Sequence, residues 1–388
     1  MPSSDDARFE LLILDGTVVD GTGAAGYAAA VGVARSHAGE SARLVVLRDA
    51  AAIDDAIGRS TRLLHATGKV VAPGFIDLHS HSGLMILADP RHEPKVRQGV
   101  TTEVIGVDGL SYAPMSSSRH LAEMVEMNAG LDGNPDIDVD WDSVATYLDR
   151  FDRGMGLNVA FLVGNSALRL GTTGWEEREP TSADVASMRS MLREAMEEGA
   201  YGLSSGLDYP PGAYASTAEL ADLASVAAKL GGFYHTHVRY TLGDRFLDPF
   251  REAIDIGRRG NAPAHITHFY HRATFSGTPG QMLALVDDAR AEGLDVTFDA
   301  YPYEWASTRL LITIPPWVQA GGPALTRERL ADPAIRARIR DELRARGVLY
   351  AGTGGLADIR LGYFALPEHL AFEGRTLGDV GKEIGADL

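Results

Sequence analysis

The sequence of 388 residues predicts an α/β protein, a (β/α)8 TIM-like barrel preceded by a small β subdomain. Three observations lead there. Short apolar runs alternate with amphipathic stretches over roughly 250 residues, the usual span of such a barrel. Polar residues cluster where each apolar run ends, as a barrel that builds its site from many strand ends requires. Neither a Gly-x-Gly-x-x-Gly after an early strand nor a P-loop occurs, so a doubly wound nucleotide-binding sheet has no support.

The elements follow in order. Residues 9–19, 31–34 and 63–70 read as strands rich in Leu, Ile and Val with glycines between them, giving a first β subdomain over residues 1–71. Beyond Val71 the apolar runs are 75–78, 102–105, 158–163, 201–203, 233–234, 264–267 and 295–298. Helical periodicity fills 183–198, 218–230, 246–259 and 281–292. The barrel is therefore assigned to residues 72–388. Val348-Leu349-Tyr350 reads as a late strand, but no final strand carrying an acidic residue follows. The expectation is a barrel that stops before its last strand.

Composition narrows the function classes. With 36 Lys and Arg against 53 Asp and Glu, the net charge of −17 repels phosphate backbones, and nucleic acid is not an expected partner. Arg336, Arg338 and Arg340 stand at helical spacing beside Asp341 and Glu342, as on a solvated face. There are no cysteines, so any metal must be held by nitrogen and oxygen. The acidic N-terminus lacks a basic stretch leading into an apolar core, and no apolar run approaches the ~20 residues that span a bilayer. A cytoplasmic protein without membrane attachment is expected; oligomeric state leaves no mark.

Residues i and i+2 of a strand share a face, so His79 and His81, closing the first barrel strand, can reach one ion. His237 and His268 close two later strands. Four histidines at three strand ends are most simply explained by a shared cation site. Imidazoles suit zinc, and also iron, nickel or manganese; hydrolytic chemistry without thiolates puts zinc first. Asp108, flanked by glycines at the end of the second strand, is the carboxylate expected to offset the charge, although an Asx-turn would use it equally well. His235, His265 and His271 are read as hydrogen-bonding residues.

These residues reach a resemblance. Pro73-Gly74-Phe75-Ile76-Asp77-Leu78-His79-Ser80-His81 resembles the opening motif of the amidohydrolase superfamily. Gln98 to Gly106, Gly206-Leu207-Asp208-Tyr209-Pro210-Pro211-Gly212-Ala213-Tyr214, Thr236-His237-Val238-Arg239, Ile266-Thr267-His268 and Asp299-Ala300-Tyr301-Pro302-Tyr303 resemble, in order, the D-aminoacylase (N-acyl-D-amino-acid deacylase) family. The resemblance implies a barrel of the metal-dependent hydrolase type with a β-sandwich built from both chain ends. It implies one or two zinc ions, with His79 and His81 at one position and His237 and His268 at a tighter one. Tyr209, Arg239, Tyr303 and Ser307 would contact a small N-acyl substrate.

The chain departs from the family at several positions. Asp108 stands where the family has a bridging Cys, Tyr270 where it has a Lys two residues after His268, and Asn165 where it has a His. The family's general base, a strand-eight Asp, is expected beyond Leu388, so no catalytic residue is assigned within the chain. The implied reaction is hydrolysis of a non-peptide C–N amide bond, in an N-acyl-D-amino acid, by metal-activated water. The alternatives are a cyclic amidase of the dihydroorotase or hydantoinase type and an inactive barrel fragment or scaffold. The cyclic amidases carry a bridging Lys on a strand, whereas Lys229 here falls on a helix.

Overall fold

The computed structural model describes residues 8–34, 42–241, 243–272, 275–347 and 355–386, in two compact units, Met1–Phe75 and Ile76–Leu388. The expected late strand at 348–350 lies outside the described residues.

The first unit holds β1 (Phe9–Val18), β2 (Tyr27–Ala34), β3 (Arg43–Leu47), α1 (Ala50–Gly58), β4 (Leu63–His65) and β5 (Val70–Val71). Its sheet runs β3-β2-β1-β4, with β5 also on β1; the first three strands are antiparallel, and β4 and β5 lie parallel to β1. Leu12, Leu14, Gly16 and Val18 are buried at a period of two, so one face of β1 packs inward. Asp49 caps α1 by accepting from the Ala52 N–H. The sequence reading began β2 four residues late, because the alanines Ala28-Ala29-Ala30 carry little β propensity; pairing with β1 makes the segment a strand.

The second unit starts around β6 (Phe75–Asp77), followed by α2 (Met85–Ala88), α3 (Glu93–Val96), β7 (Val100–Ile105), α4 (Ser118–Asp132), α5 (Val144–Leu148), β8 (Asn158–Gly164), α6 (Asn165–Leu170), α7 (Ser182–Glu197) and β9 (Gly202–Gly206). Next come α8 (Thr217–Lys229), β10 (Phe233–His237), α9 (Asp248–Gly260), β11 (Ala264–Ile266), α10 (Pro279–Ala291) and β12 (Val296–Phe298), then α11 (Pro323–Ala331), α12 (Pro333–Arg346) and α13 (Leu377–Ile384). The sheet order is sequential from β6 to β12, and the ladders from β7 to β12 are parallel. Helices cross between successive parallel strands, which is the construction of the TIM-like barrel, here with seven strands among the described residues.

Side-chain oxygens of Ser117, Thr181 and Ser216 cap α4, α7 and α8, each cap contributing typically ~1 kcal/mol. Leu220, Leu223, Ala224 and Ala227 bury the inward stripe of α8 at helical spacing. Strands β9 and β11 are buried along their whole length, as parallel strands covered on both faces must be. Alternation on β10 sends Tyr234 and Thr236 to Ser205, at 2.7 and 2.8 Å, and leaves His235 and His237 for the opposite face. No helix among the described residues is long and apolar enough to cross a membrane.

Candidate metal centre

Two turns bring the site together. Past β6, Asp77 accepts the His79 N–H at 3.0 Å and Ser80 N–H reaches Val104 O of β7 at 3.1 Å, so the extended chain holds His79 and His81 on one side with rings 5.3 Å apart. Past β7, the chain turns through Gly106-Val107-Asp108-Gly109, with Asp108 at φ 54°. Ser204 of β9 pins this turn, its hydroxyl accepting the Gly109 N–H at 3.1 Å and donating to Gly106 O. The Asp108 carboxylate, 1% exposed, is thereby aimed inward.

Asp108 Oδ2 stands 3.5 Å from His79 Nε2, 3.5 Å from His81 Nε2 and 3.3 Å from His237 Nδ1. His268, two residues past β11 and at φ 54°, places its ring 5.0 Å from that of His237 and 4.5 Å from that of His79. The donor atoms form two triads that share the carboxylate, His79–His81–Asp108 and Asp108–His237–His268, each with all members within 4.8 Å. Both His79 ring nitrogens and Asp108 Oδ1 are buried without a hydrogen-bond partner. Buried polar atoms of this kind are costly unless something pairs with them. A divalent cation with nitrogen and oxygen ligands fits that donor set.

The protein without a cation keeps protons there instead. Burial pushes His79 and His81 down, but the carboxylates of Asp108, Asp299 and Asp132 outweigh it and hold them at about 10 and about 9. Asp108 lies well below the usual carboxylate range: burial opposes ionisation, and His79 and His237 overcome it. Burial, aided by neighbouring histidines, depresses His235 to about 3 and His268 to about 2. A stability profile follows for the metal-free chain. His79 and His81 contribute stability that is full below 6.5 and is lost as pH rises through 9 to 10. His235 and His268 contribute stability that is present above 6.5 and is lost as pH falls towards 3 and 2. These four histidines place the stability maximum near pH 6.5 in chelator; equal denaturant midpoints at pH 6.5 and 9.5 would contradict this.

The expected substrate-contact residues are distributed unevenly. Tyr209 is buried with its ring 4.9 Å from His237 and its hydroxyl 2.9 Å from Thr308 Oγ1. Arg239 donates to Ala213 O and, at 2.8 Å, to Ala215 O, so its guanidinium holds the loop after Tyr209. Tyr303, 73% exposed, stacks 6.2 Å from Tyr301, and Ser307 is exposed in the coil after β12. Tyr270 meets Tyr301 hydroxyl to hydroxyl at 2.7 Å, and buried Asn165 donates to Gly212 O at 3.1 Å.

Some residues around the histidines escaped the sequence reading. His81 Nδ1 lies 2.8 Å from Asp132 Oδ1, and His237 Nε2 lies 3.2 Å from Asp208 Oδ2. Asp299 accepts the His268 N–H at 2.9 Å and stands 3.1 Å from His265 Nε2 and 3.5 Å from His79 Nδ1. His265 also meets Thr297, and His235 Nε2 reaches Leu78 O at 3.1 Å, while His271 packs against the rings of Phe246 and Phe275. His235 additionally forms a third donor group with His79 and Asp299. Asp208 and Asp299 lay within quoted motifs, whereas nothing in the sequence near Asp132 pointed to His81.

The sequence profile of the Amidohydrolase family matches residues 62–341. The chain is 35% identical over 314 residues to a D-aminoacylase of Alcaligenes xylosoxydans xylosoxydans, covering 80% of this chain and 60% of that protein. It is 36% identical over 309 residues to an N-acyl-D-glutamate deacylase of the same organism, covering 78% and 59%. The chain thus spans about 60% of the length of these relatives. Among solved structures, an N-acyl-D-glutamate deacylase from Bordetella bronchiseptica, complexed with zinc and a phosphonate mimic of the tetrahedral intermediate, superposes with a TM-score of 0.71 at 28% identity, covering 98% of this chain and 68% of that one. A D-aminoacylase studied for its binuclear metal centre gives 0.65 at 29% identity, covering 86% and 70%.

Proposed function

Because this chain belongs to the amidohydrolase family, we propose that its protein is a zinc-dependent hydrolase that cleaves the amide C–N bond of a small N-acyl compound, an N-acyl-D-amino acid. One observation carries the reading: a single buried carboxylate oxygen, Asp108 Oδ2, faces three histidine nitrogens at 3.3 to 3.5 Å. The similarity to deacylases of N-acyl-D-amino acids supplies the substrate class.

His79, His81 and Asp108 would hold one ion, and His237 and His268, with the same Asp108, a second. Zinc, when bound, polarises the amide carbonyl and brings the pKa of water towards ~7. The chain's own residues prepare the site for that chemistry. Asp108 offsets the cation's charge and fixes the spacing of the two halves. The buried Tyr209 ring walls the His237 side against bulk water, and its hydroxyl, tied to Thr308, keeps the ring there. Arg239 holds the carbonyls of residues 213 and 215, which keeps the loop following Tyr209 against that wall. Tyr303 and Ser307, on the coil after β12, would contact the substrate.

The test is to measure zinc content and hydrolysis of N-acetyl-D-amino acids, their L counterparts and cyclic amides such as hydantoins, before and after chelation. Chelation should remove activity on the D-compounds and zinc should restore it. Activity that survives complete metal removal would end the metal-dependent reading, and preference for cyclic amides would replace the substrate.

A further inference from the structure

We propose that Arg309 is a positioning residue: its buried guanidinium fixes the Tyr209 ring beside His237 and anchors the coil that presents Ser307 to the substrate. The inference rests on the proposed function above, since it names what holds the wall and the substrate-facing coil of that site in one geometry.

Residues 302–307 are exposed, Thr308 is half-buried and Arg309 is 4% exposed, so the coil after β12 turns back into the core at that point. Its start is held by Asp299, whose carboxylate accepts the His268 N–H at 2.9 Å. At its end two successive residues reach Tyr209. Thr308 Oγ1 lies 2.9 Å from the Tyr209 hydroxyl, and the Arg309 guanidinium lies over the Tyr209 ring, 5.0 Å from its centre. The guanidinium takes its other bearings from two further segments. Nη1 donates to Asn128 Oδ1 at 2.8 Å and to Met127 O at 3.2 Å, both in α4. Nη2 donates to the carbonyl of Pro210, the residue after Tyr209, at 3.5 Å. Asn128 is itself buried, and its amide N–H donates to Met124 O at 3.0 Å, which leaves its oxygen turned to Arg309. Helix α4, the loop after β9 and the coil after β12 therefore meet at one side chain.

A cation is a poor choice for filling such a space. These acceptors are all neutral oxygens, and Nε is buried with no hydrogen-bond partner. Burial pulls the pKa below the ordinary arginine value, against Tyr209, Asp132 and Tyr112. Buried charges are costly unless paired, so an apolar side chain of similar length would fill the space at lower cost. What the guanidinium adds is direction. Its planar fork meets acceptors on two segments at once while it lies over an aromatic ring. The ring so held is the one whose centre stands 4.9 Å from that of His237.

The zinc-loaded chain and its R309M variant test this. Methionine keeps an apolar stem and removes the fork, and no zinc-binding residue is altered, so zinc content should be unchanged. Photochemically induced nuclear polarisation with a flavin dye reads which tyrosines the dye can reach. Tyr209, 3% exposed, should be silent in the unaltered chain. In R309M it should give a signal, assigned by its loss in the double variant R309M/Y209F. With N-acetyl-D-leucine as substrate, kcat/KM should fall about 100-fold, the scale of a misplacement of about 1 Å. R309K restores the charge and not the fork; it should behave as R309M does, and it carries the comparison if R309M does not fold. A merely structural Arg309 would lower the melting temperature and leave Tyr209 silent and kcat/KM unchanged, which would overturn the proposal. A Tyr209 signal without loss of kcat/KM would also overturn it. Failure of the zinc-loaded unaltered chain to hydrolyse N-acetyl-D-amino acids would remove the proposed function together with this inference. Hydrolysis by that chain with Tyr209 silent in R309M would remove the inference alone.

Discussion

Replacing Asp108 with alanine is expected to abolish tight zinc binding and to destabilise the metal-free chain in the same step. The carboxylate belongs to both donor triads, and its Oδ2 is the atom that His79, His81 and His237 face. Without it those imidazoles confront one another in a buried space with no anion between them. The loss of zinc affinity should exceed the ~10–100-fold caused by deleting an outer partner and reach about a thousandfold or more. In the absence of metal, removing one member of a buried charge pair costs about 3–5 kcal/mol, which a denaturant titration at pH 6.5 would read. D108N separates charge from volume: it should keep much of the packing and still bind zinc poorly. D108C tests the departure from the family directly. A thiolate at this position should recover binding and move the preference towards softer ions, so cadmium should gain on zinc relative to the unaltered chain. A D108A chain that takes up zinc with undiminished affinity would remove Asp108 from the site altogether.

Those parts of the site that depend on local pattern were legible in the sequence. His79 and His81 follow a period of two after an apolar run, and His237 and His268 close runs of their own, so strand geometry alone placed them at one end of the sheet. Strand limits were legible to within a few residues and failed for identifiable reasons. The reading ended β9 at Leu203 because the apolar run stops there and Ser204 and Ser205 are polar; the observed strand continues to Gly206, paired with β8 as far as Ser204 and with β10 to its end. Strand β3 and helix α1 went unread, and both rest on packing against β1 and β2 rather than on strong periodicity. Asp132 shows the limit most clearly. It meets His81 across 51 residues from the end of a helix, and only the way α4 lies against the sheet makes them neighbours. Tertiary contact of that kind leaves no spacing to detect.

Gly206→Ala should unfold or severely weaken the second unit although it adds one methyl group. A Cβ at this position would stand 1.8 Å from Asp108 O, 2.6 Å from Asp108 C and 2.8 Å from Tyr209 Cδ2. The first two are backbone atoms of the turn that aims the carboxylate, so no side-chain rotation relieves the clash. Gly206 cannot retreat either: it pairs with His237 in the β9–β10 ladder, and the next residue, Leu207, donates to His237 O at 3.0 Å. The turn is pressed on this strand end by bare backbone from both sides, since a Cβ on Gly109, at φ 69°, would come within 2.6 Å of Gly206 N. That close approach accompanies the reach of Asp108, past β7, to His237 on β10, with β8 and β9 between them in the sheet. The expected loss is about 3 kcal/mol or more, at or beyond the top of the ~1–3 kcal/mol range for overpacked interiors, with zinc binding lost from both triads because Asp108 and His237 move apart. Gly280→Ala is the matched comparison: in the first turn of α10, its Cβ would find only Thr278 Oγ1 at 3.8 Å. There alanine should be neutral or stabilise by up to about 1 kcal/mol through the unfolded chain. Denaturant midpoints that rank the two variants equally would show that the turn does not depend on the missing side chain at Gly206.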